Sequence, residues 1–226
     1  MSDLQPAPKT LKQDMFGRVE LIHFSDSCAE PQLAIRRDIN SSWRGLRWAA
    51  LYLAHRELKA LERLQAVPAA SRQLPKMLQS DAEHFTRSYI HGQPLHLHRK
   101  PSPVFFDQLK QLLADIHAAG VTHNDLAKEP NILVCSDGRP ALIDFQLASC
   151  SRWFFKMQCR EDLRHILKHQ FTYQPDSLSQ LELKLLTNKA LPAKLWMACV
   201  KPVYLFITRR VFNWSDREGA GDRGAD

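Results

Sequence analysis

Residues 121 to 148, VTHNDLAKEPNILVCSDGRPALIDFQLA, constrain the chain more than any other stretch, because three polar side chains sit at the ends of two short strand-like runs. His123-Asn124-Asp125-Leu126 opens it, Asn131 follows six residues after Asp125, and Asp144-Phe145 closes it behind the apolar run Ala141 to Ile143. A lone His-x-Asp is usually a turn or a capped helix. Joined to an asparagine, an apolar strand and Asp-Phe at this spacing, with His-Ala-Ala-Gly leading in at 117 to 120, it reads as two loops carried by two strands.

Such a set suits phosphoryl transfer. That reaction needs a carboxylate to orient the attacking hydroxyl, with an amide oxygen and a second carboxylate to hold magnesium against the nucleotide phosphates. Asp125, Asn131 and Asp144 supply these groups. The two loops resemble the H-x-D…N and D-F-G loops of the protein-kinase-like superfamily. HNDLAKEPN followed by LIDFQLA is similar to the lipopolysaccharide core kinases, the Kdo and heptose kinases. The stretch departs from protein kinases at two places. Pro130 stands where their asparagine falls, so Asn131 comes one residue later, and a single insertion between Asp125 and Asn131 also accounts for the longer interval to Asp144. Gln146 replaces the usual third-position glycine, which bears on the mobility of that loop and not on the metal ligand.

The resemblance implies an α+β fold, a minimal bilobal protein-kinase-like domain with a small N-terminal sheet plus one helix and then a mostly helical lobe. Residues 1–14, with Pro6 and Pro8, read as a mobile arm, 15–90 as the N-lobe, 91–214 as the C-lobe with its catalytic loops at 121–148, and 215–226 as a mobile tail. GRVELIHF and LAIRRDI read as two or three N-lobe strands. No G-x-G-x-x-G is present, and Gly17 stands alone.

LAIRRD resembles the kinase strand whose lysine pairs with the nucleotide phosphates and with a glutamate on the next helix. Alternation puts Ala34 and Arg36 on one face and Ile35 and Arg37 on the other. Arg36 is the first choice for the phosphate contact, with Arg37 left open. Residues 43–66 have helical period, and Glu57, ahead of Leu61 and Leu64, is the expected partner of Arg36. RSYIHGQPL resembles the strand and hinge joining the lobes, where Tyr89, Ile90 and His91 would hold adenine through backbone groups. His91, His96 and His98 have no neighbouring cysteine or carboxylate cluster and read as surface residues, not as metal ligands.

Pro103 to Ala119 reads as an amphipathic helix with Phe105 or Phe106, Leu109, Leu112, Leu113 and Ile116 on one face. His123 is expected to hold its loop in place. Asp162 is expected to brace that loop or to cap a helix starting at EDLRHILK. Trp153, Phe154 and Phe155 read as core, with contact to a lipid-linked acceptor as the alternative. No A-P-E sequence follows Ala148, which argues against a peptide substrate.

Five cysteines with no C-x-x-C pair indicate neither a disulfide framework nor a zinc site, and they suit a reducing cytoplasm. The N-terminus lacks the pattern of a signal peptide, and the apolar run Pro202 to Thr208 is too short to span a bilayer. Formal net charge is +7, and no acidic residue lies between Glu182 and Asp216, an interval holding Lys184, Lys189, Lys194, Lys201, Arg209 and Arg210. Such a field attracts phosphate-rich partners. The expected reading is ATP- and Mg2+-dependent phosphorylation of a sugar hydroxyl of the lipopolysaccharide inner core. It would take place in the cytoplasm with peripheral contact at the anionic inner membrane, with no nucleic acid as partner. The alternatives are a small atypical serine/threonine protein kinase and a pseudokinase binding module.

Overall fold

A computed structural model describes residues 7–25, 31–67, 72–81, 83–98 and 100–187. Strands β1 (Lys9–Asp14), β2 (Gly17–Phe24), β3 (Gln32–Asp38), β4 (Met77–Ser80) and β5 (His84–Ser88) form one antiparallel sheet in the order β1-β2-β3-β5-β4. Lys9 to Asp14, assigned from sequence to a mobile arm, is therefore the edge strand of the sheet, paired from Lys9 opposite Leu21 to Asp14 opposite Gly17 with a shift of register between Thr10 and Lys12. Its alternating Lys-Thr-Leu-Lys-Gln pattern is almost wholly exposed, which is why no apolar periodicity marked it.

Only Met15 and Phe16 separate β1 from β2, so the place of a glycine-rich cover is taken by a tight turn. Gly17 serves chain packing there. Its φ is +124°, and a Cβ would lie 2.3 Å from the Asp38 carbonyl oxygen at the end of β3.

Helix α1 (Arg47–Leu64) belongs to two cores at once. Its first half buries Ala50 and Ala54 with Ile39 and Phe85 against the sheet. Its second half buries Ala60, Leu61 and Leu64 with the apolar side of the second lobe. Glu57 lies between the two halves with 1% of its surface exposed.

The second lobe holds a three-stranded sheet of β6 (Gly92–Pro94), β7 (Ile132–Cys135) and β8 (Pro140–Leu142), with helices α2 (Phe105–Ala118), α3 (Phe155–Tyr173) and α4 (Gln180–Thr187). All six apolar residues expected along α2, Phe105, Phe106, Leu109, Leu112, Leu113 and Ile116, are buried in its core. At about 1.5–3 kcal/mol for each fully buried side chain, this stripe dominates the packing of the lobe. Gly120, at φ +74°, ends the helix and turns the chain toward His123.

Asp162 does not begin a helix: α3 starts at Phe155, and Asp162 sits buried in its second turn. Trp153 and Phe154 are 79% and 66% exposed, so the core assignment fails for both. They occupy the short link between Ala148 and α3, where no second layer covers them. Among the described residues no helix is long and apolar enough to cross a membrane. Lys189, Lys194, Lys201, Arg209 and Arg210, and the tail at 215–226, lie outside the described residues.

Candidate active site

The β7–β8 hairpin brings two of the expected groups to one end of one sheet. Ile132 pairs with Leu142, and just beyond that pair the Ile143 N–H donates to the Asn131 carbonyl at 3.0 Å. Asn131 and Asp144 therefore leave the hairpin side by side. Asp144 has left-handed backbone, φ 66° and ψ 68°, a conformation that aspartate and asparagine adopt more readily than most residues. One of its carboxylate oxygens, Oδ1, is buried and without a hydrogen-bond partner.

Asp125 joins them through Asn131, whose Nδ2 donates to the Asp125 Oδ2 at 2.9 Å and to the Asp125 carbonyl at 2.9 Å. With its nitrogen engaged, the amide of Asn131 keeps its oxygen for another partner. Burial, the largest cause, raises the Asp125 carboxyl above its usual 3.8; Lys128 opposes the shift and nearby Asp144 reinforces it. The Lys128 ammonium lies 3.2 Å from Asp125 Oδ2. Lys128 was not singled out from the sequence, although its position three residues after Asp125 within one turn was a usable signal.

The loop is held by a buried bracket. Asp162 accepts from the His123 N–H at 2.7 Å and from the Asn124 N–H at 2.8 Å. That is the bracing role expected of it. Asn124 takes the left-handed backbone at φ 63°, and its Nδ2 donates to the Leu147 carbonyl at 3.0 Å. The His123 Nε2 lies 3.0 Å from the Ile143 carbonyl, and its ring packs 4.6 Å from that of Phe145, so His123 ties the two loops together. His169, buried on α3, contacts the Leu126 carbonyl at 2.8 Å and completes the bracket.

On the sheet side the two arginines divide differently from the sequence expectation. Arg36 does not reach Glu57. It stands opposite Glu20 in the β2–β3 register and pairs with it at 2.7 Å on the face of the sheet away from α1. Arg37 is on the face shared with Ile35, toward α1, and its Nη1 lies 3.7 Å from Glu57 Oε2. The strand alternation was read correctly; the face that α1 covers was assigned to the wrong residue.

Arg87, unnoticed in the sequence, approaches Glu57 Oε1 at 3.1 Å from β5. Its alternation with Phe85, which is buried on the α1 side, was the available signal. Burial raises the Glu57 carboxyl above its usual 4.5; Arg87 opposes this, Asp144 adds to it and Arg37 opposes it. Both Glu57 oxygens, and the Nε and Nη1 of Arg37, are buried without a well-aligned hydrogen bond.

Tyr89, Ile90 and His91 form the link between the two sheets, as expected of a hinge. The Tyr89 N–H is already used, donating to the Leu33 carbonyl at 3.1 Å, which leaves Ile90 and His91 to offer backbone groups. Among the described residues no cluster of three histidine, cysteine or acidic side chains could hold a metal, so the histidines at 91, 96 and 98 form none.

No protein-family profile matches the chain, and no curated protein does. Among solved structures it is similar to the Rio2 kinase from Chaetomium thermophilum, with a TM-score of 0.55 and 14% sequence identity over 77% of this chain. The chain corresponds to 60% of that kinase's length. The likeness lies in the backbone and not in the sequence, and the chain has a bilobal protein-kinase-like fold.

Proposed function

We propose that the chain is an ATP-dependent phosphotransferase acting on the sugar hydroxyl of a lipopolysaccharide inner-core acceptor. The observation that carries the transferase reading is complementary need inside one buried site. Arg37 Nε lacks a partner and Asp144 holds a spare acceptor, both groups act on the Glu57 carboxyl, and Asp125 with Asn131 stands near Asp144. A magnesium-bound polyphosphate has the charges that satisfy both kinds of group.

Asn131 and Asp144 would hold magnesium, which supplies charge neutralisation at the transferred phosphate. Arg37 binds phosphate oxygens, and Glu57 fixes the guanidinium from behind with Arg87 sharing its charge. Asp125 orients the acceptor hydroxyl and accepts its proton, a role favoured by a carboxyl lifted above the usual range. Lys128 balances the negative charge at Asp125. Ile90 and His91 present backbone groups to adenine.

A glycan acceptor is favoured over a peptide by the shortness of the link after the second loop. The turn Phe145–Leu147 is followed by α3 at Phe155, which leaves little chain from which to build a peptide platform. HNDLAKEPN and LIDFQLA, similar to the lipopolysaccharide kinases, are what favours an acceptor of that class. The tight Met15–Phe16 turn, which has no glycine-rich cover, favours as a second reading a pseudokinase that binds nucleotide without transfer.

Incubation with γ-labelled ATP and magnesium beside purified core oligosaccharide and a generic protein substrate separates these readings. Label on the oligosaccharide is expected. Label on the protein alone would make it a protein kinase, and nucleotide binding without label on either would make it a pseudokinase.

A further inference from the structure

Trp43, Trp48 and Trp153, the tryptophans among the described residues, are 63%, 71% and 79% exposed. Tryptophan is highly buried on average in folded proteins, so three such rings in solvent call for a partner. Trp48 leads a surface stripe along α1 that continues through Tyr52, His55 and Lys59 at helical spacing. The Arg56 guanidinium lies 5.6 Å from the Tyr52 ring and donates to the Leu147 and Ala148 carbonyls at 2.7 and 2.9 Å. Farther along, the Cys150 Sγ approaches the Lys59 carbonyl at 3.9 Å, and Arg63 donates to the Cys150 carbonyl at 3.4 Å. The stripe is thus continuous with the link that carries Trp153 and Phe154.

The charge on this face is mostly positive. Residues 39–56 and 145–160 contain no aspartate or glutamate, apart from which they carry Arg47, Arg56, Arg152 and Lys156 among their cations. The acidic exceptions are Glu83, which pairs with Arg47 at 3.4 Å, and Glu62, farther along the exposed side of α1. Interfaces between proteins are enriched in aromatic residues and arginine but depleted in lysine, which this face presents at Lys59 and Lys156. Exposed tryptophan and phenylalanine interleaved with arginine and lysine fit instead the boundary of a bilayer, rings at headgroup depth and cations on anionic lipid.

We propose that this face docks on a bilayer surface rich in anionic lipid and that the chain meets its acceptor there. The docking face borders the site, because Leu147, 38% exposed, takes a hydrogen bond from Asn124 beside Asp125. An acceptor anchored in the same bilayer is thereby brought to the catalytic turn. The inference deepens the transferase reading by stating where the acceptor is held.

The test is cosedimentation of the full chain, without nucleotide, with vesicles of phosphatidylglycerol and phosphatidylcholine against phosphatidylcholine alone, at low and high salt. Wild type should prefer the anionic vesicles and lose that preference in high salt. Trp48→Ser, Trp153→Ser and Phe154→Asn combined should weaken binding at least ~10-fold. Asparagine is chosen at 154 because Phe154 has φ 59°. Arg152→Gln with Lys156→Gln should weaken binding by about fivefold per charge. Melting temperatures should not move, since every replaced side chain is exposed.

Equal binding to neutral vesicles, or binding untouched by the aromatic variant, overturns the proposal. So does loss of binding only when Lys201, Arg209 and Arg210 are changed to glutamine, which assigns the attraction to the C-terminal segment. Self-association that the aromatic variant abolishes, in a chain that ignores vesicles, would make the face a protein interface. Failure on vesicles with intact phosphorylation of soluble oligosaccharide removes the docking face alone. Intact vesicle binding without phosphorylation removes the transferase reading alone.

Discussion

Arg37 faces Glu57 in the interior between β3 and α1, its Nη1 3.7 Å from the Glu57 Oε2, while Arg36 pairs with Glu20 on the opposite face of the sheet. Adjacent arginines of one strand thus have unrelated roles. Arg37→Ala should remove nucleotide affinity and destabilise the fold by up to about 3–5 kcal/mol, the usual cost of stranding one partner of a buried pair. Arg87 remains to shield Glu57, so the lower end applies. Arg36→Ala leaves the buried Glu20 with Arg18 as its remaining partner, which tempers the cost of breaking the pair, and should leave nucleotide affinity unchanged. Urea unfolding and calorimetry on the two variants check this, and the reverse pattern would return the phosphate role to Arg36.

Asp125→Asn should be both inactive and more stable at neutral pH. The folded-state carboxyl is raised above its ordinary 3.8, so the native state binds the proton more tightly than the unfolded state does. Stability therefore falls as pH rises from 3.8 through the folded value, and the loss persists at neutral pH. An uncharged isostere removes that loss. Turnover should drop by at least ~10²-fold with nucleotide affinity retained. Thermal melts at several pH values and steady-state rates decide it; a less stable Asn variant would show that the carboxylate stabilises the folded state.

The β7–β8 hairpin was legible in the sequence because each of its requirements is local: short apolar strands, turns, and polar residues fixed at their ends. The apolar stripe of α2 followed equally from helical spacing, and the choice of Glu57 as the inward-facing carboxylate of α1 rested on its place ahead of Leu61 and Leu64. Arg36 against Arg37 was not decidable in that way, since strand alternation separates two faces without saying which one a distant helix will cover. Arg87 reaches the site only through strand pairing between residues far apart in sequence. Strand β1 lies at an edge, where exposed polar side chains carry no period to read. The exposure of Trp153 and Phe154 depends on what fails to pack over the 149–154 link, and hydrophobicity alone points the other way.

Lys128→Gln should move the acid limb of the rate profile upward. Lys128 is an opposing cause of the Asp125 shift, and removing its charge leaves burial and Asp144 to raise the carboxyl further. A larger share of enzyme is then protonated at Asp125 at any given pH on the acid side. The pH dependence of kcat/KM reports it. An unmoved acid limb would mean that the Lys128 charge is screened from Asp125 or that another group sets the limb.

Asp162→Ala should unfold the catalytic turn before the lobe. It strands two N–H donors, those of His123 and Asn124, at about 1–3 kcal/mol for each buried group left unsatisfied. Turnover should fall while the α2 core persists. Hydrogen exchange would show faster amides at 123 and 124 with α2 still protected, and Asp162→Asn, which keeps one acceptor oxygen, should recover part of both.

Asp144 is the residue on which the proposed nucleotide site depends most. Its buried Oδ1 lacks a protein partner, and its left-handed backbone suits asparagine as well as aspartate. Asp144→Asn therefore changes charge without disturbing packing. The measurement is calorimetric titration with ATP, with and without magnesium, of wild type and Asp144→Asn, alongside a thermal melt. Wild type should bind with magnesium-dependent affinity, and the variant should lose that dependence while melting at the same temperature or higher. Equal magnesium-dependent affinity in both proteins would contradict a metal–nucleotide site at Asp144.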